Sequence, residues 1–574
     1  MAWFDEAVFY HIYPLGLTGA PKQNSYGEPV SRLNTLLPWI SHIKEIGCNA
    51  IYIGPLFESV GHGYETTDYK KLDSRLGTNE DLTNFVGECH KQGIRVILDG
   101  VFNHTGRDFF AFQDIKHNRE HSPYKDWYCN VNFWGNNSYN DGFSYENWGG
   151  YDLLAKLNQH NPAVKDYICD VIRFWVKEFN IDGIRLDAAD VMDFEYMKAL
   201  RRVANEVKPD FWLMGEVIHG NYSRWANEGT LHSVTNYMLH KALYSGHNDH
   251  NYFEIAHTIT YVNGMVGNNL KLYTFVDNHD VERIYTKLNN KEHFLPVHIM
   301  LYTLPGIPSL YYGSEFGIEG RKERHSDDSL RPALNYEDYK DAVNTNSCTK
   351  LIAALGKIRQ NTPALCYGEY KQLLLQTTHF AYARILDGTS VITTVNNADQ
   401  EVSMNLQVGN SGEYIGALSG KKISVNDGHM QVTISGNSGE IWIPAAIYKK
   451  SLSSIKTIKI IEAAKPEASN PAPKTGSLEP EKKITETKEQ EVIKHESLNK
   501  ADISTPTSCE TGNPEGQKVT VDWKKPYEDM SIEELQEAIL EKMRHNGPVT
   551  DYMLKTVRDN THHGSLVTWV KSFQ

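Results

Sequence analysis

Ile181-Asp-Gly-Ile-Arg185-Leu-Asp187-Ala-Ala-Asp190 reads as a short buried strand that ends on charge. Residues two apart on a strand share a face, so Arg185 and Asp187 project into one space. An arginine placed there lowers the carboxylate's pKa and holds one of its oxygens, leaving the other free as a carboxylate nucleophile requires. An ordinary strand-end ion pair would look the same, so the neighbouring sequence has to decide. Before the strand, Val164, Ile168, Ile172, Trp175 and Phe179 recur at three- and four-residue steps, the pattern of a helix lying on a sheet. After it, Trp212-Leu-Met-Gly-Glu216 is a second apolar run that finishes on a carboxylate.

The same unit repeats in both directions. Further strands are expected at Val8–Tyr13, Ala50–Ile53, Arg95–Val101, Ser233–Thr235, Leu272–Val276 and Ser309–Tyr311, and Leu36, Ile40, Ile43 and Ile46 mark another helix face. Strands alternating with helices imply a parallel sheet, and eight strands imply an α/β fold of the (β/α)8 barrel type over residues 1–362. A doubly wound open sheet is the rival, but no Gly-rich dinucleotide fingerprint follows the first strand. Residues 104–160 are loop-like and rich in Asn, Tyr, Trp and Gly, and are expected to form an inserted subdomain walling one side of the site. Over 363–450 the pattern turns to short β runs, with Asp387-Gly388 as a hairpin turn, so a C-terminal antiparallel β-sandwich is expected. Residues 451–522 have too little apolar content to offset chain entropy and read as a disordered linker. A small helical module follows at 523–574, where Ser531-Ile-Glu-Glu534 matches a capping box and Leu535, Ile539 and Met543 share a face. It shows no chemistry of its own and suggests a docking element for a protein partner or a glucan.

Bulk properties narrow the partner. The 574 residues carry a net charge of −14, which opposes nucleic acid or an anionic membrane as principal ligand and suits a neutral one such as a sugar. Seven cysteines are scattered without CxxC spacing, as reduced thiols rather than a disulfide framework or zinc site. No stretch is long and apolar enough to span a bilayer, and Met-Ala-Trp-Phe-Asp-Glu has no secretory pattern, so the expected compartment is the cytoplasm.

In a parallel barrel the chemistry gathers at the carboxyl ends of the strands. Strand three ends in Asp99-Gly-Val-Phe-Asn103-His104, strand four in Arg185 and Asp187, strand five in Glu216 and strand seven in Asp277-Asn-His279-Asp280. The loop after strand two carries His62-Gly-Tyr64. Any one of these polar residues reads as structural; five strand ends together point to a site.

Asp99–His104, Gly183–Asp187, Gly215–Val217 and Phe275–Asp280 resemble the four short motifs of the α-amylase family of glycoside hydrolases, in the family's order, and Gly306–Glu315 is similar to its eighth-strand segment. The resemblance covers roughly the first 450 residues and implies a barrel, a subdomain after strand three and a C-terminal sandwich. It implies Asp187 as nucleophile, Glu216 as general acid/base and Asp280 as the carboxylate that clamps sugar hydroxyls. Arg185 would position the nucleophile, His104 and His279 would bind hydroxyls, Tyr64 would be the stacking platform, and Asp99 would be a structural acid beneath. Phe102–Arg107, Pro123–Trp127, Lys156-Leu-Asn158 and Ser233–Tyr237 look most like the cyclomaltodextrinase, neopullulanase and maltogenic amylase group. The implied reaction is retaining hydrolysis of α-1,4 bonds in maltodextrins, cyclodextrins or starch-derived oligosaccharides. Transglycosylation through the same intermediate is the second reading. A non-catalytic sugar-binding protein would have lost a carboxylate, and all three are present.

Two departures stand out. That group usually carries an N-terminal β-domain, whereas here the barrel is expected to begin almost at Met1, and Asp190-Val191 occupy the places where many α-amylases have a basic residue and a histidine. The histidine belongs to a calcium site in those relatives. Of that site Asn103 remains as a candidate ligand; no cofactor is expected to be required.

Overall fold

The computed structural model describes residues 2–267, 270–324, 326–448, 521, 523, 525–546 and the single positions 557, 566 and 570. Eight parallel strands, β1 (Phe9–Ile12), β2 (Ala50–Ile53), β3 (Arg95–Gly100), β4 (Gly183–Leu186), β5 (Trp212–Gly215), β6 (Ser233–Val234), β7 (Tyr273–Phe275) and β8 (Ile307–Tyr311), form one sheet ordered β6-β5-β4-β3-β2-β1-β8-β7. The sheet closes where Thr235 bridges Tyr273, with Asn236 N–H donating to the Tyr273 carbonyl at 2.9 Å. This is a (β/α)8 barrel. Its interior is packed: Phe9 stacks on Trp212 at 5.2 Å, and Tyr52, Ile97, Met214 and Phe275 fill the adjoining space.

The helices hold because their apolar stripes face the strands. In Pro162–Phe179 the Asn161 side chain accepts from Ala163 N–H, Pro162 opens the first turn, and Asn180 ends the helix in the left-handed region. Its stripe, Val164, Ile168, Ile172, Trp175 and Phe179, is buried. Strand β8 begins two residues earlier than the sequence suggests. Pro308 lies inside it because the ladder to β7 runs through the flanking groups, with Ile307 N–H bonded to the Leu272 carbonyl at 2.8 Å.

Between β3 and β4 the chain builds a small three-stranded sheet from His104–Thr105, Asn147–Trp148 and Tyr151–Lys156, together with the helix Phe110–Asn118. After the barrel, β9 (Glu369–Leu375), β10 (His379–Leu386), β11 (Thr389–Asn396), β12 (Val402–Gln407), β13 (Gly412–Gly416), β14 (Lys422–Val425), β15 (His429–Ile434) and β16 (Ser438–Pro444) form a sandwich. A six-stranded antiparallel sheet, β9-β10-β11-β16-β13-β14, faces the pair β12-β15 across a core that includes Met404, Leu406, Val432 and Trp442. The β10–β11 turn places Asp387 at φ 48° and Gly388 at φ 75°, the left-handed pair that a two-residue hairpin requires.

The linker expected at 451–522 lies outside the described residues except for Val521. The C-terminal residues form a separate unit. There Ser531 and Glu534 exchange the two bonds of a capping box at the start of helix Ile532–Asn546. Leu535, Ala538 and Ile539 pack with Val557, Leu566 and Val570; most of the second apolar pattern lies outside the described residues. No helix among the described residues is long and apolar enough to cross a membrane.

Candidate active site

Parallel register puts Asp99 of β3 directly beside Arg185 of β4, and Arg185 beside Met214 of β5. The consequence is one guanidinium shared by three carboxylates. Arg185 Nη1 lies 2.8 Å from Asp99 Oδ1 and 2.8 Å from Asp187 Oδ1, while Nη2 lies 2.8 Å from Glu216 Oε2. Immediately after Asp187 the chain turns through Ala188, at φ 48° and ψ 39°. A non-glycine residue is strained there, and the turn aims Ala188 N–H at Glu216 Oε2, 3.1 Å away. Tyr237, which sequence reading gave no role, donates to Glu216 Oε1 at 3.4 Å and accepts from Asn278 Nδ2 at 3.1 Å.

Asp99 lies beneath the cleft, accepting from Tyr52 OH at 2.8 Å and Tyr64 OH at 3.2 Å. Tyr64 stacks on His279, and its hydroxyl sits 2.5 Å from His279 Nε2. His104 Nε2 meets the Tyr64 carbonyl at 3.2 Å. Asp280 is more open than the other acids. His279 Nε2 at 3.0 Å and Arg331 Nη2 at 2.9 Å hold it. The eight residues Tyr64, Asp99, His104, Arg185, Asp187, Glu216, His279 and Asp280 therefore converge, around a cleft of about 310 Å³.

Four carboxyl groups face two guanidinium groups, so the site carries excess negative charge. Burial raises the Glu216 pKa, with Arg185 opposing and Asp280 reinforcing. Burial also raises Asp187 well above the usual carboxylate range, against Arg185 and with Glu216. That corrects the expectation that Arg185 holds Asp187 low. One guanidinium divided among three acids does not offset the cost of burying them, and Asp187 and Glu216 titrate as a pair. Burial pushes His104 down to about 3 and His279 well below its ordinary value, so both imidazoles are neutral.

Asn103 was the one candidate calcium ligand. Its Oδ1 accepts from Gln159 Nε2 at 3.0 Å, and the orientation of that amide is fixed because Gln159 Oε1 accepts from Asp193 N–H at 2.7 Å. One lone pair of Asn103 Oδ1 is therefore taken by the Gln159 amide, and among the described residues no cluster of three or more His, Cys, Asp or Glu side chains is arranged to hold a metal.

Arg331, Asp327, Trp148 and Ile218 also line the cleft. Sequence reading missed them because they stand in segments without a motif, Trp148 in a two-residue strand of the inserted subdomain and the others in loops; only the aromatic density around Trp148 was a signal. Asp190 lines the cleft too, half-buried, its carboxyl raised by burial.

A family model described as alpha amylase, catalytic domain, matches residues 23–365. A cyclomaltodextrinase of Thermoanaerobacter pseudethanolicus is 31% identical over 423 residues, covering 70% of this chain and 71% of that protein. Neopullulanase 2 of Thermoactinomyces vulgaris is 28% identical over 468 residues, 76% and 78% of the two chains. Among solved structures, a Thermus thermophilus protein, Ttha1563, superposes with TM-score 0.68 at 26% identity over 77% of this chain and all of that one. The Nostoc punctiforme debranching enzyme gives TM-score 0.65 at 26% identity over 77% and 98%.

Proposed function

The chain belongs to the α-amylase family of glycoside hydrolases, and from that premise we propose that it cleaves α-1,4-glucosidic bonds of maltodextrins, cyclodextrins or starch-derived oligosaccharides with retention of configuration. The observation that carries the reading is the Arg185 fork, whose two Nη nitrogens each hold one oxygen of Asp187 and of Glu216 at 2.8 Å. One guanidinium holding both carboxyls keeps them on the same cleft, where one can attack the anomeric carbon while the other protonates the leaving oxygen, as retention requires.

Asp187 Oδ1 is held by Arg185, so Oδ2 attacks the anomeric carbon. Glu216 gives its proton to the departing glycosidic oxygen as that bond breaks. Glu216, now ionised, takes a proton from water, and the hydroxide oxygen displaces Asp187 from the anomeric carbon. Asp280, fixed by Arg331 and His279, binds ring hydroxyls, and the neutral imidazoles of His104 and His279 exchange hydrogen bonds with them. Transfer is the second reading, favoured by Trp148 and Ile218, whose apolar faces in the cleft offer a rest for an acceptor sugar. Product analysis on maltotriose, cyclodextrin, pullulan and starch tests both. Glucose and maltose from maltotriose mean hydrolysis, products longer than maltotriose mean transfer, and no turnover of any of the four overturns the proposal.

A further inference from the structure

Several large apolar side chains lie exposed among the described residues, and three aromatic ones fall between residues 134 and 151 of the inserted subdomain. The hairpin Asn147–Lys156 turns through Gly149 and Gly150, at φ 65° and 82°. Trp148 and Tyr151 are direct partners across that turn, so their side chains share one face. Trp148 lines the catalytic cleft, whereas Tyr151 is 68% exposed. The next residue, Asp152, ties the hairpin to the loop 132–141 by accepting from Ser138 N–H at 2.7 Å and Oγ–H at 2.6 Å.

The inner side of that loop is fixed. Asn132 Oδ1 accepts from Trp134 N–H at 3.0 Å, Asn136 Oδ1 from Gly142 N–H at 3.0 Å, and Asn137 Nδ2 donates to the Phe143 carbonyl at 2.9 Å. Phe133 packs inward against Phe143. The outer side presents Trp134, 98% exposed, and Tyr139, half exposed with the Arg107 guanidinium 3.7 Å from its ring centroid. A rigid backbone thus holds aromatic rings out in water at little further entropic cost on binding.

We propose that the inserted subdomain carries a second α-glucan-binding track, which leaves the cleft at Trp148 and continues over Tyr151 toward Tyr139 and Trp134. It rests on the α-glucan reading given above and extends it to chains longer than the cleft encloses. The chemistry is that of a neutral sugar: ring faces for the C–H side of a pyranose, beside Asn amides and an Arg107–Asp141 pair whose charges offset each other. A protein partner needs about 800 Å² of contact per side, more than these rings supply. The net charge of −14 opposes a nucleic acid and a second copy of the chain alike.

The test compares the full-length wild type with the double variant Trp134→Ala/Tyr151→Ala in native gels containing amylose, alongside kinetics on maltotriose and on amylose. The variant is expected to lose most of its retardation and to show an amylose KM about tenfold higher at unchanged kcat, with maltotriose kcat/KM held within about twofold. Trp134→Phe/Tyr151→Phe, which keeps the rings, should behave as wild type. Equal retardation of wild type and alanine variant overturns the track, and so do equal losses on both substrates. A wild type that turns over no α-glucan but whose retardation still depends on the rings would sink the reaction and leave the track.

Discussion

Replacing Glu216 with Gln removes the proton donor and almost nothing else. Glu216 Oε2 already accepts from Ala188 N–H at 3.1 Å and Arg185 Nη2 at 2.8 Å, so a proton there would face two donors. The proton therefore belongs on Oε1, on the side of the Tyr237 hydroxyl. In Glu216→Gln the amide oxygen takes the place of Oε2 with both its bonds, and the NH2 takes the place of Oε1, where only the long 3.4 Å bond from Tyr237 OH is given up. The thermal midpoint should be unchanged, since a neutral amide replaces a protonated and equally neutral carboxyl of the same shape. Turnover of maltotriose should fall about a hundredfold to ten-thousandfold, or about 3–5 kcal/mol of barrier. An α-maltosyl fluoride needs little protonation to leave, so its first step should lose less than about tenfold. The pH profile supplies the second readout. Glu216 works as an acid and its pKa is raised, so maltotriose cleavage should decline as pH rises through that value, and the fluoride should lose this alkaline limb. Near-wild-type maltotriose turnover in the variant, or an equal loss on the fluoride, refutes the assignment.

Asp187→Asn should abolish turnover of both substrates, and a 2-fluoro glucosyl fluoride should label wild-type Asp187, read by peptide mass; a label elsewhere refutes it as nucleophile. A chelator should leave turnover and thermal midpoint unchanged, while Gln159→Leu should cost about 2–3 kcal/mol through the orphaned Asn103 and Asp193 groups; a chelator-induced loss that calcium restores refutes the first half. Burial holds His232, His240 and His298 at about 4 and His247 at about 3. The unfolded chain therefore takes up protons below about pH 6.5 while the folded one does not, at on the order of 3 kcal/mol for each histidine. Stability is full above that pH and lost as pH falls toward 4. A thermal midpoint equal at pH 7 and pH 5 would contradict this.

The strands at Ala50–Ile53, Gly183–Leu186 and Trp212–Gly215 were legible to the residue, because buried parallel strands are short apolar runs with polar ends. The candidate acids were legible for the same reason: a carboxylate ending an apolar run has nowhere to go but the rim. Arg331 was not. It stands 51 positions beyond Asp280 in a loop, and only the folded chain brings it to 2.9 Å.

What the sequence determined by itself was the alternation of strands and helices and the identity of the acids at their ends, since periodicity and strand polarity are local properties of the chain. Tertiary structure decided the rest. Register makes Arg185 serve three carboxylates rather than one, and burial, with Glu216 and Asp99 beside it, raises Asp187 where a low pKa was expected. Packing between the subdomain and the barrel puts the Gln159 amide on Asn103, where local sequence had left room for a cation. Charge and desolvation are sums over neighbours in space, and those neighbours are set only when the barrel closes.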